Sequence, residues 1–206
     1  MSNTTVPVVM SETDMLSMDY MMTNLRVLHG NASPDQIFDG THWYDAARQY
    51  AAYLAVRHDV SETVAAAVIA AHSMNARWQE NMRRAEAHLA GNPYGLPNAI
   101  AMADKAIVAG KQSLWTPDDV LDCITGPKLN PFARCVAGDL TAVATDRWAQ
   151  RAAFNSLDDK LVSKLTNRKG VRDRMIAAYT VAAEEVGVQP AILQAIVWVV
   201  IRGSAD

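Results

Sequence analysis

The sequence contains little cysteine: Cys123 and Cys135 are the only two in 206 residues. Two thiolates are too few to hold a four-cysteine iron–sulfur cluster, and they do not form the C-x-x-C pair that is typical of zinc sites. We therefore expect both thiols to be buried in the protein interior. The sequence predicts neither a metal centre nor another cofactor.

The sequence also lacks a long hydrophobic run. Its longest apolar stretch, residues 191–201, has 11 residues and is interrupted by Gln194, whereas a membrane-spanning helix needs about 20. The first residues, MSNTTVPVVMSETD, have neither the basic start nor the long apolar region of a secretory signal. These absences predict a protein without membrane contacts that works in the cytoplasm, or in the host cytoplasm if a phage encodes it.

Acidic and basic residues nearly balance over the whole chain, but not along it. The chain has 19 Lys and Arg against 22 Asp and Glu, which gives a net charge of −3. Residues 126–174 hold ten of the basic and five of the acidic side chains, so this segment has a charge of +5. We expect DNA or a nucleotide to bind through this segment, because local positive charge attracts phosphates. A locally basic helical surface without a partner is the alternative, and it stays open.

Strand-like alternation of β-branched and polar residues is absent from the sequence. Helix caps and helical periodicity instead divide the chain into about ten helices. We therefore predict an all-α fold: a compact two-lobed bundle formed by a single domain, residues 11–206, after a disordered start at residues 1–10. The segments predicted as loops include residues 30–41 and the basic residues 164–170. The predicted helices are approximately 11–30, 42–57, one that starts at 61, one from 73 or 75 to 89, 97–109, 117–124, 128–137, 143–153, 171–186 and 190–202.

Two of these helices form a hairpin. Thr116 followed by Pro117 is a strong helix start, because the hydroxyl caps backbone N–H groups and the proline presets φ. The short helix that follows ends at the turn 125–127, and the next helix begins near Lys128. Two short helices joined by a tight turn with Gly126 make a helix–hairpin–helix, a motif that also occurs in plain DNA-binding modules.

Residues 120–153 carry the strongest resemblance to a known family. A hairpin with Gly126 and Lys128 is followed by a helix, a Gly-Asp break and the segment ATDRWAQR, which contains Asp146. This order resembles the helix–hairpin–helix (HhH-GPD) DNA glycosylase superfamily, in which an Asp in a V-D-T-H-x-x-R type context follows the hairpin. Over its whole length the chain also looks like small proteins of tailed phages that share a GPK…GD…TDRWA core.

The resemblance implies roles for two side chains. In that superfamily the Asp is the catalytic carboxylate, so Asp146 is the expected catalytic residue. In bifunctional members a Lys of the hairpin attacks the sugar, and Lys128 lies 18 residues before Asp146, a spacing that fits this arrangement. A lysine amine is a useful nucleophile only when its pKa is lowered, and the positive end of a helix dipole acts in that direction. The alternatives are a helix-start carboxylate at Asp146 and a solvated charge at Lys128.

Other side chains are candidates for contacts with DNA or with a base. Trp78 and Asn81 share one face of a helix, as do Gln194 and Trp198. A buried amide needs a hydrogen-bond partner, and the edge of a base is one such partner; a helix cap or a backbone group is the alternative. The candidates for substrate or DNA binding are Gly126, Arg134, Arg147, Asn75, Trp78, Asn81, Gln194 and Trp198.

Three functions from different classes are compatible with these features. The first is a glycosylase-like enzyme that flips a nucleotide, modified or not, between two lobes and places Asp146 at the sugar. The second is a transferase, because phage proteins that install amino acids or polyamines on activated thymine in DNA resemble the same superfamily. The third is a non-catalytic helix–hairpin–helix protein that only binds DNA. The base, the strand preference and the oligomeric state stay open.

Overall fold

The computed structural model describes residues 11–112 and 114–203. The predicted disordered start, residues 1–10, lies outside the described residues. The all-α fold is confirmed, because the described residues form helices and no strand. Within the described residues there are twelve helices rather than about ten: α1 (Glu12–Met15), α2 (Met18–Gly30), α3 (Pro34–His58), α4 (Glu62–His72), α5 (Trp78–Leu89), α6 (Pro97–Gly110), α7 (Pro117–Asp122), α8 (Leu129–Val136), α9 (Arg147–Phe154), α10 (Asp159–Thr166), α11 (Val171–Glu185) and α12 (Pro190–Arg202).

The Met-rich N-terminal segment forms two helices instead of the predicted one. Ser11 begins α1 with a capping box, in which the Asp14 carboxylate accepts a hydrogen bond from the Ser11 backbone N–H. Ser17 then caps a new helix, α2. Met21 of α2 is fully buried, so this part of the Met-rich stripe fills the core.

The predicted loop at residues 30–41 is wrong, because α3 already begins at Pro34. Ser33 caps its start, and Pro34 occupies the first turn, where a missing N–H costs no helical hydrogen bond. The composition of this segment is typical of a loop, yet Gly40 lies inside the helix. Its missing side chain lets α12 approach closely: a Cβ on Gly40 would lie 2.5 Å from the Cα of Ile196.

Two helices begin later than predicted, each because of a local polar residue. Asn75 adopts a left-handed conformation with a φ of 51°, which a continuing helix does not allow, so α5 begins at Trp78 rather than at residues 73–75. Asp146 accepts a hydrogen bond from a backbone N–H in the first turn of α9, which makes Arg147 the first residue of that helix. Both shifts place polar side chains in the connections that precede these helices.

The basic segment 164–170 is not a loop throughout. Asp158 caps an additional helix, α10, which includes the first residues of this segment. Two predicted helix starts are confirmed, since Ser61 caps α4 and Thr116 caps α7 within a capping box. Residues 123–128 connect the two short helices α7 and α8.

Two clusters of buried side chains form the core. The first is packed mainly from α3 to α8, with α4 buried on all sides from Val64 to His72. The second is packed from α1, α2 and α9 to α12 and includes Phe154 and Tyr179. α3 and α12 pack against each other and connect the two clusters. A cleft opens between α3, α5 and α8 on one side and the beginning of α9 and the outer part of α12 on the other.

Among the described residues, no helix by itself is long and apolar enough to cross a membrane. α11 and α12 pass that test only as a pair, and the pair is bent by 96° at its break. Much of each helix is buried inside the protein, as Tyr179 of α11 and Ile196 of α12 illustrate.

A chain of polar side chains runs from the surface into the first core cluster. The exposed Asp104 carboxylate lies 3.0 Å from Nε2 of His88, and Nδ1 of His88 lies 2.9 Å from Nε2 of His72. His72 is buried, and its Nδ1 has no hydrogen-bond partner among the described residues. Burial, together with His88 and Arg84, lowers the pKa of His72 from 6.5 to about 4, although Asp104 acts in the opposite direction. The folded protein therefore resists protonation of His72.

This lowered pKa predicts a loss of stability in mild acid. The unfolded chain takes up the proton near pH 6.5 and the folded protein only near pH 4. The free energy of unfolding therefore falls as the pH falls between these values, by roughly 2 to 3 kcal/mol. His72→Gln removes this titration, so its stability should fall less over the same interval. Urea unfolding of both proteins from pH 7 to pH 4 measures the difference, and parallel pH profiles would contradict the prediction.

Candidate functional site

A cavity of about 550 Å³ opens where α3, α5, α8, α9 and α12 meet. Its volume lies within the range of about 300–1,000 Å³ that is typical of small-molecule and cofactor sites. Aromatic, amide and charged side chains line it. Eight of the ten residues singled out in the sequence lie on this cleft: Asn75, Trp78, Asn81, Lys128, Asp146, Arg147, Gln194 and Trp198.

Two of the predicted residues lie outside the cleft. Gly126 is exposed in the connection between α7 and α8, with a φ of 108° that favours glycine. Arg134 donates hydrogen bonds to Asp118 at 2.7 Å and to Asp122 at 2.8 Å. Because both carboxylates belong to α7, the Arg134 guanidinium joins α8 to α7. The structure does not bring Gly126 and Arg134 to the other eight residues.

Asp146 is a helix cap that also lines the cleft. Its Oδ1 accepts a hydrogen bond from the backbone N–H of Ala149 at 2.8 Å, and the residue is half-buried. Burial raises the pKa of its carboxyl group above the usual value, although the N–H groups of Ala149 and Trp148 and the charge of Lys128 act in the opposite direction. The helix-cap interpretation is therefore confirmed, and the capping carboxylate still borders the cavity.

Lys128 stands immediately before α8 and also lines the cavity. Its Nζ donates to the carbonyl oxygen of Ser73 at 3.3 Å, and the residue is half-buried rather than fully solvated. Burial lowers the pKa of its amine, while the negative charge of Asp146 raises it. The pKa of Lys128 is therefore lowered, as expected from the helix dipole, but the main cause is burial.

Hydrogen bonds connect the two chain segments that carry these charges. The Thr145 hydroxyl donates to the carbonyl oxygen of Pro127, the residue before Lys128, at 3.1 Å. The same hydroxyl oxygen accepts from Nη1 of Arg172 at 3.1 Å, and Gln150 Nε2 donates to the Thr145 carbonyl oxygen at 2.9 Å. Thr145 is fully buried. These contacts hold the carboxylate and the amine in a fixed relation to each other.

Aromatic rings form a wall of the cleft. The centroid of the Trp43 ring lies 5.3 Å from that of Trp78 and 6.2 Å from that of Trp198. It is also 5.8 Å from the Phe132 ring, and Tyr44 packs edge-on against Trp43. Trp43, Tyr44 and Phe132 are additions to the predicted set. Rings in this arrangement can stack on a planar ligand.

Two amide side chains reach the cleft from different helices. Gln194 of α12 is buried, and its Oε1 accepts from the Tyr44 hydroxyl at 2.9 Å. Asn81 of α5 is only 2% exposed. Its Oδ1 has no hydrogen-bond partner among the described residues, whereas buried side-chain oxygens are nearly always paired. A hydrogen bond within the protein therefore explains the buried amide of Gln194, but no such bond explains the buried oxygen of Asn81.

The cleft is positively charged in a protein whose net charge is −3. Of the described residues that line it, only Asp146 is acidic. Arg202 lies 4.6 Å from the centroid of the Trp198 ring, and neither Arg202 nor Arg77 forms an ion pair within the described part of the chain. Such cations attract phosphate groups. The basic residues that line the cleft are Arg77, Lys128, Arg147 and Arg202.

The basic segment 126–174 supplies only part of this charge. Five of its ten basic side chains form ion pairs with carboxylates of the described residues. Glu12 pairs with Arg168, for example, and so joins α1 to the connection that follows α10. Within the segment, Lys128 and Arg147 are the basic residues that line the cleft. The positive charge of the cleft is therefore assembled from distant parts of the chain.

Within the described residues, no group of three or more His, Cys, Asp and Glu side chains is arranged to hold a metal ion. Cys135 is buried, and burial raises the pKa of its thiol to about 12. Cys123 is half-buried, and its Sγ donates to the carbonyl oxygen of Asp119 at 3.4 Å. The expectation of buried thiols is confirmed for Cys135 and only partly met by Cys123.

Together the fold and the cleft define an all-helical protein with a cationic, aromatic-lined cleft that contains a half-buried carboxylate and a half-buried amine. The chain belongs to DUF7178, a family of unknown function, which matches residues 8–205. No curated protein and no solved structure matches the chain. The activity must therefore be inferred from the cleft itself.

Proposed function

We propose that the protein is a DNA glycosylase-like enzyme that acts on the N-glycosidic bond of a nucleotide flipped out of DNA. The observation that carries this proposal is that Asp146 and Lys128 line the same cleft. These are the two residues to which the resemblance to the HhH-GPD glycosylases assigns chemical roles. The aromatic wall and the basic residues suit the base and the phosphates of such a nucleotide.

In the proposed reaction, the base stacks on the aromatic wall while the arginines bind the flanking phosphates. Cleavage of the N-glycosidic bond builds positive charge on the sugar, and the Asp146 carboxylate stabilises that charge. Water adds to C1′ as the bond between C1′ and the base breaks. The base leaves with the bonding electrons and takes up a proton. The products are a free base and an abasic site.

Lys128 offers a covalent variant of this step, which borohydride trapping tests. Its neutral amine adds to C1′ and displaces the base, which takes up the proton that the attached amine loses. The C1′–O4′ bond then opens, O4′ takes up a proton from water, and an iminium between protein and sugar is left. Sodium borohydride reduces the iminium to a stable amine, which is visible as a protein–DNA crosslink on a denaturing gel. Lys128→Ala should lose this crosslink completely, whereas Lys105→Ala, at an exposed site on α6, should retain it. A crosslink that persists in Lys128→Ala would exclude Lys128 as the nucleophile.

Release of a free base from DNA tests the proposed function directly. Duplex and single-stranded oligonucleotides with damaged or phage-type modified bases are incubated with the protein, and the products are separated by chromatography. We expect at least one base to be released together with an abasic site. If none of these substrates loses a base, the glycosylase proposal is wrong.

The two other functions compatible with the sequence give different results in related assays. A transferase would incorporate a labelled amine or amino acid into DNA that carries activated hydroxymethyluracil, with Asp146 activating the amine. A non-catalytic protein would bind DNA in a salt-sensitive way without turnover. The Asp146 carboxylate among the basic residues of the cleft favours an enzyme over a protein that only binds DNA, because a negative charge repels phosphate groups. The half-buried Lys128 amine that lines the same cleft suits the covalent variant of the glycosylase.

A further inference from the structure

Asn81 has a buried amide side chain whose oxygen is not needed for the hydrogen bonds of the fold. The residue is 2% exposed, and its Oδ1 has no hydrogen-bond partner among the described residues. Burying an unpaired amide is costly, so folding alone gives no reason for a polar residue at this position. Asn81 lines the cleft. Its acceptor oxygen and its donor NH2 group are therefore available to a ligand that enters there.

Gln194 offers a different hydrogen-bonding pattern. Its Oε1 accepts from the Tyr44 hydroxyl at 2.9 Å. Burial raises the pKa of Tyr44 well above its usual value, so the hydroxyl keeps its proton and remains a donor. This bond occupies the oxygen of Gln194 and leaves the NH2 group. Towards the cleft, Gln194 is therefore a hydrogen-bond donor.

Both amides stand one helical turn from a tryptophan. Asn81 follows Trp78 by three residues on α5, and Gln194 precedes Trp198 by four residues on α12. The centroid of the Trp43 ring lies 5.3 Å from one tryptophan and 6.2 Å from the other. The amides are buried, whereas the tryptophans are half-buried. The amides therefore lie deeper in the protein than the rings on which a base can stack.

We infer that Asn81 and Gln194 select a pyrimidine base, an inference that rests on the proposed function of the cleft. A pyrimidine presents a donor and an acceptor at N3 and C4, and a second acceptor, O2, at C2. Asn81 pairs with the donor and the acceptor, in one amide orientation for uracil or thymine and in the other for cytosine. Gln194 donates to O2. Guanine carries a donor at C2, which would face the donor of Gln194, and adenine has no polar group at C2.

Binding of single nucleotides tests this selection without requiring catalysis. dTMP, dUMP, dCMP, dAMP and dGMP are titrated separately, and the fluorescence of the cleft tryptophans reports binding. Pyrimidine nucleotides should bind about 10-fold or more tightly than purine nucleotides. Asn81→Leu should weaken pyrimidine binding about 10- to 100-fold and remove the preference. Its Tm should be unchanged or higher, because the substitution removes an unpaired buried polar group.

Two further variants make the result specific. Gln194→Met removes the donor to O2 and should also weaken pyrimidine binding. Its Tm should fall, because Tyr44 loses its acceptor. Asn98→Leu changes an exposed amide on α6, outside the cleft, in the same way as Asn81→Leu. This control should bind all five nucleotides as the wild-type protein does.

The outcomes distinguish this inference from the proposed function. Equal binding of purine and pyrimidine nucleotides, or wild-type affinities in Asn81→Leu, would overturn the inference and leave the glycosylase proposal standing. A pyrimidine preference in a protein that releases no base would support the inference and overturn the glycosylase proposal. Absence of binding by any nucleotide at millimolar concentration would overturn the inference, because the two amides would then not select a base, and the base-release assay would decide the glycosylase proposal separately.

Discussion

Asp146→Asn is expected to reduce the rate of base release by at least about 100-fold. A neutral amide cannot supply the negative charge that stabilises the developing positive charge on the sugar. The substitution preserves the fold, because Asn is as good an N-cap as Asp and can accept the same hydrogen bond from the Ala149 backbone N–H. Single-turnover rates measure the loss of activity, and thermal unfolding measures the retained stability.

Two control variants separate the chemistry of Asp146 from its capping. Asp146→Ala removes both the charge and the cap, so it should lose the same activity and also about 1 kcal/mol of stability. Asp158→Asn makes the same chemical change as Asp146→Asn at the exposed cap of α10, outside the cleft, and should leave the rate unchanged. A wild-type rate in Asp146→Asn would show that Asp146 acts only as a helix cap.

The part of the cleft that could be predicted from the sequence consists of residues that lie close together along the chain. The segments of Asp146 and Lys128 lie close together in the chain, and the hydrogen bond from Thr145 to Pro127 closes the loop between them. Asn81 was predictable because helical spacing places it on the same face as a tryptophan. Such proximities can be predicted from the sequence, because they involve residues of one helix, or residues of one hairpin and the helix that follows it.

Other features of the structure depend on contacts between segments that are distant in the sequence, and these contacts could not be predicted from the sequence. Trp43 belongs to an apolar stripe that is typical of a buried helix face, and only the packing of α3 beside α5 and α12 turns its ring into a wall of the cleft. The charge of Arg134 is suited to a phosphate, but Asp118 and Asp122 bind its guanidinium. The composition of the segment around Gly40 is typical of a loop. Gly40 nevertheless lies inside α3, where α12 approaches too closely for a side chain.

The close approach at Gly40 predicts the largest loss of stability. A Cβ at this position would lie 2.5 Å from the Cα of Ile196 and 2.7 Å from its backbone nitrogen, and backbone atoms cannot rotate away as a side chain can. Gly40→Val should lower the free energy of unfolding by about 4 kcal/mol, more than most overpacking substitutions, because it adds three carbons where there is no room for one. Gly40→Ala should cost about 2 kcal/mol, after a gain in helix propensity of up to about 1 kcal/mol.

A side chain at position 40 would push α3 and α12 apart. This separation would also change the cleft, because α3 carries Tyr44 and α12 carries Gln194. Separating the two helices lengthens the hydrogen bond between these side chains, so the folded fraction of Gly40→Ala should also bind nucleotides more weakly. Gly30→Val is the matched control: a Cβ there would meet nothing within 4 Å, and its stability should stay within about 0.5 kcal/mol of wild type. Urea unfolding at pH 7 measures all three variants. Equal stability of Gly40→Val and Gly30→Val would contradict the tight packing of α3 against α12, and with it the fixed position of Gln194 on which pyrimidine selection depends.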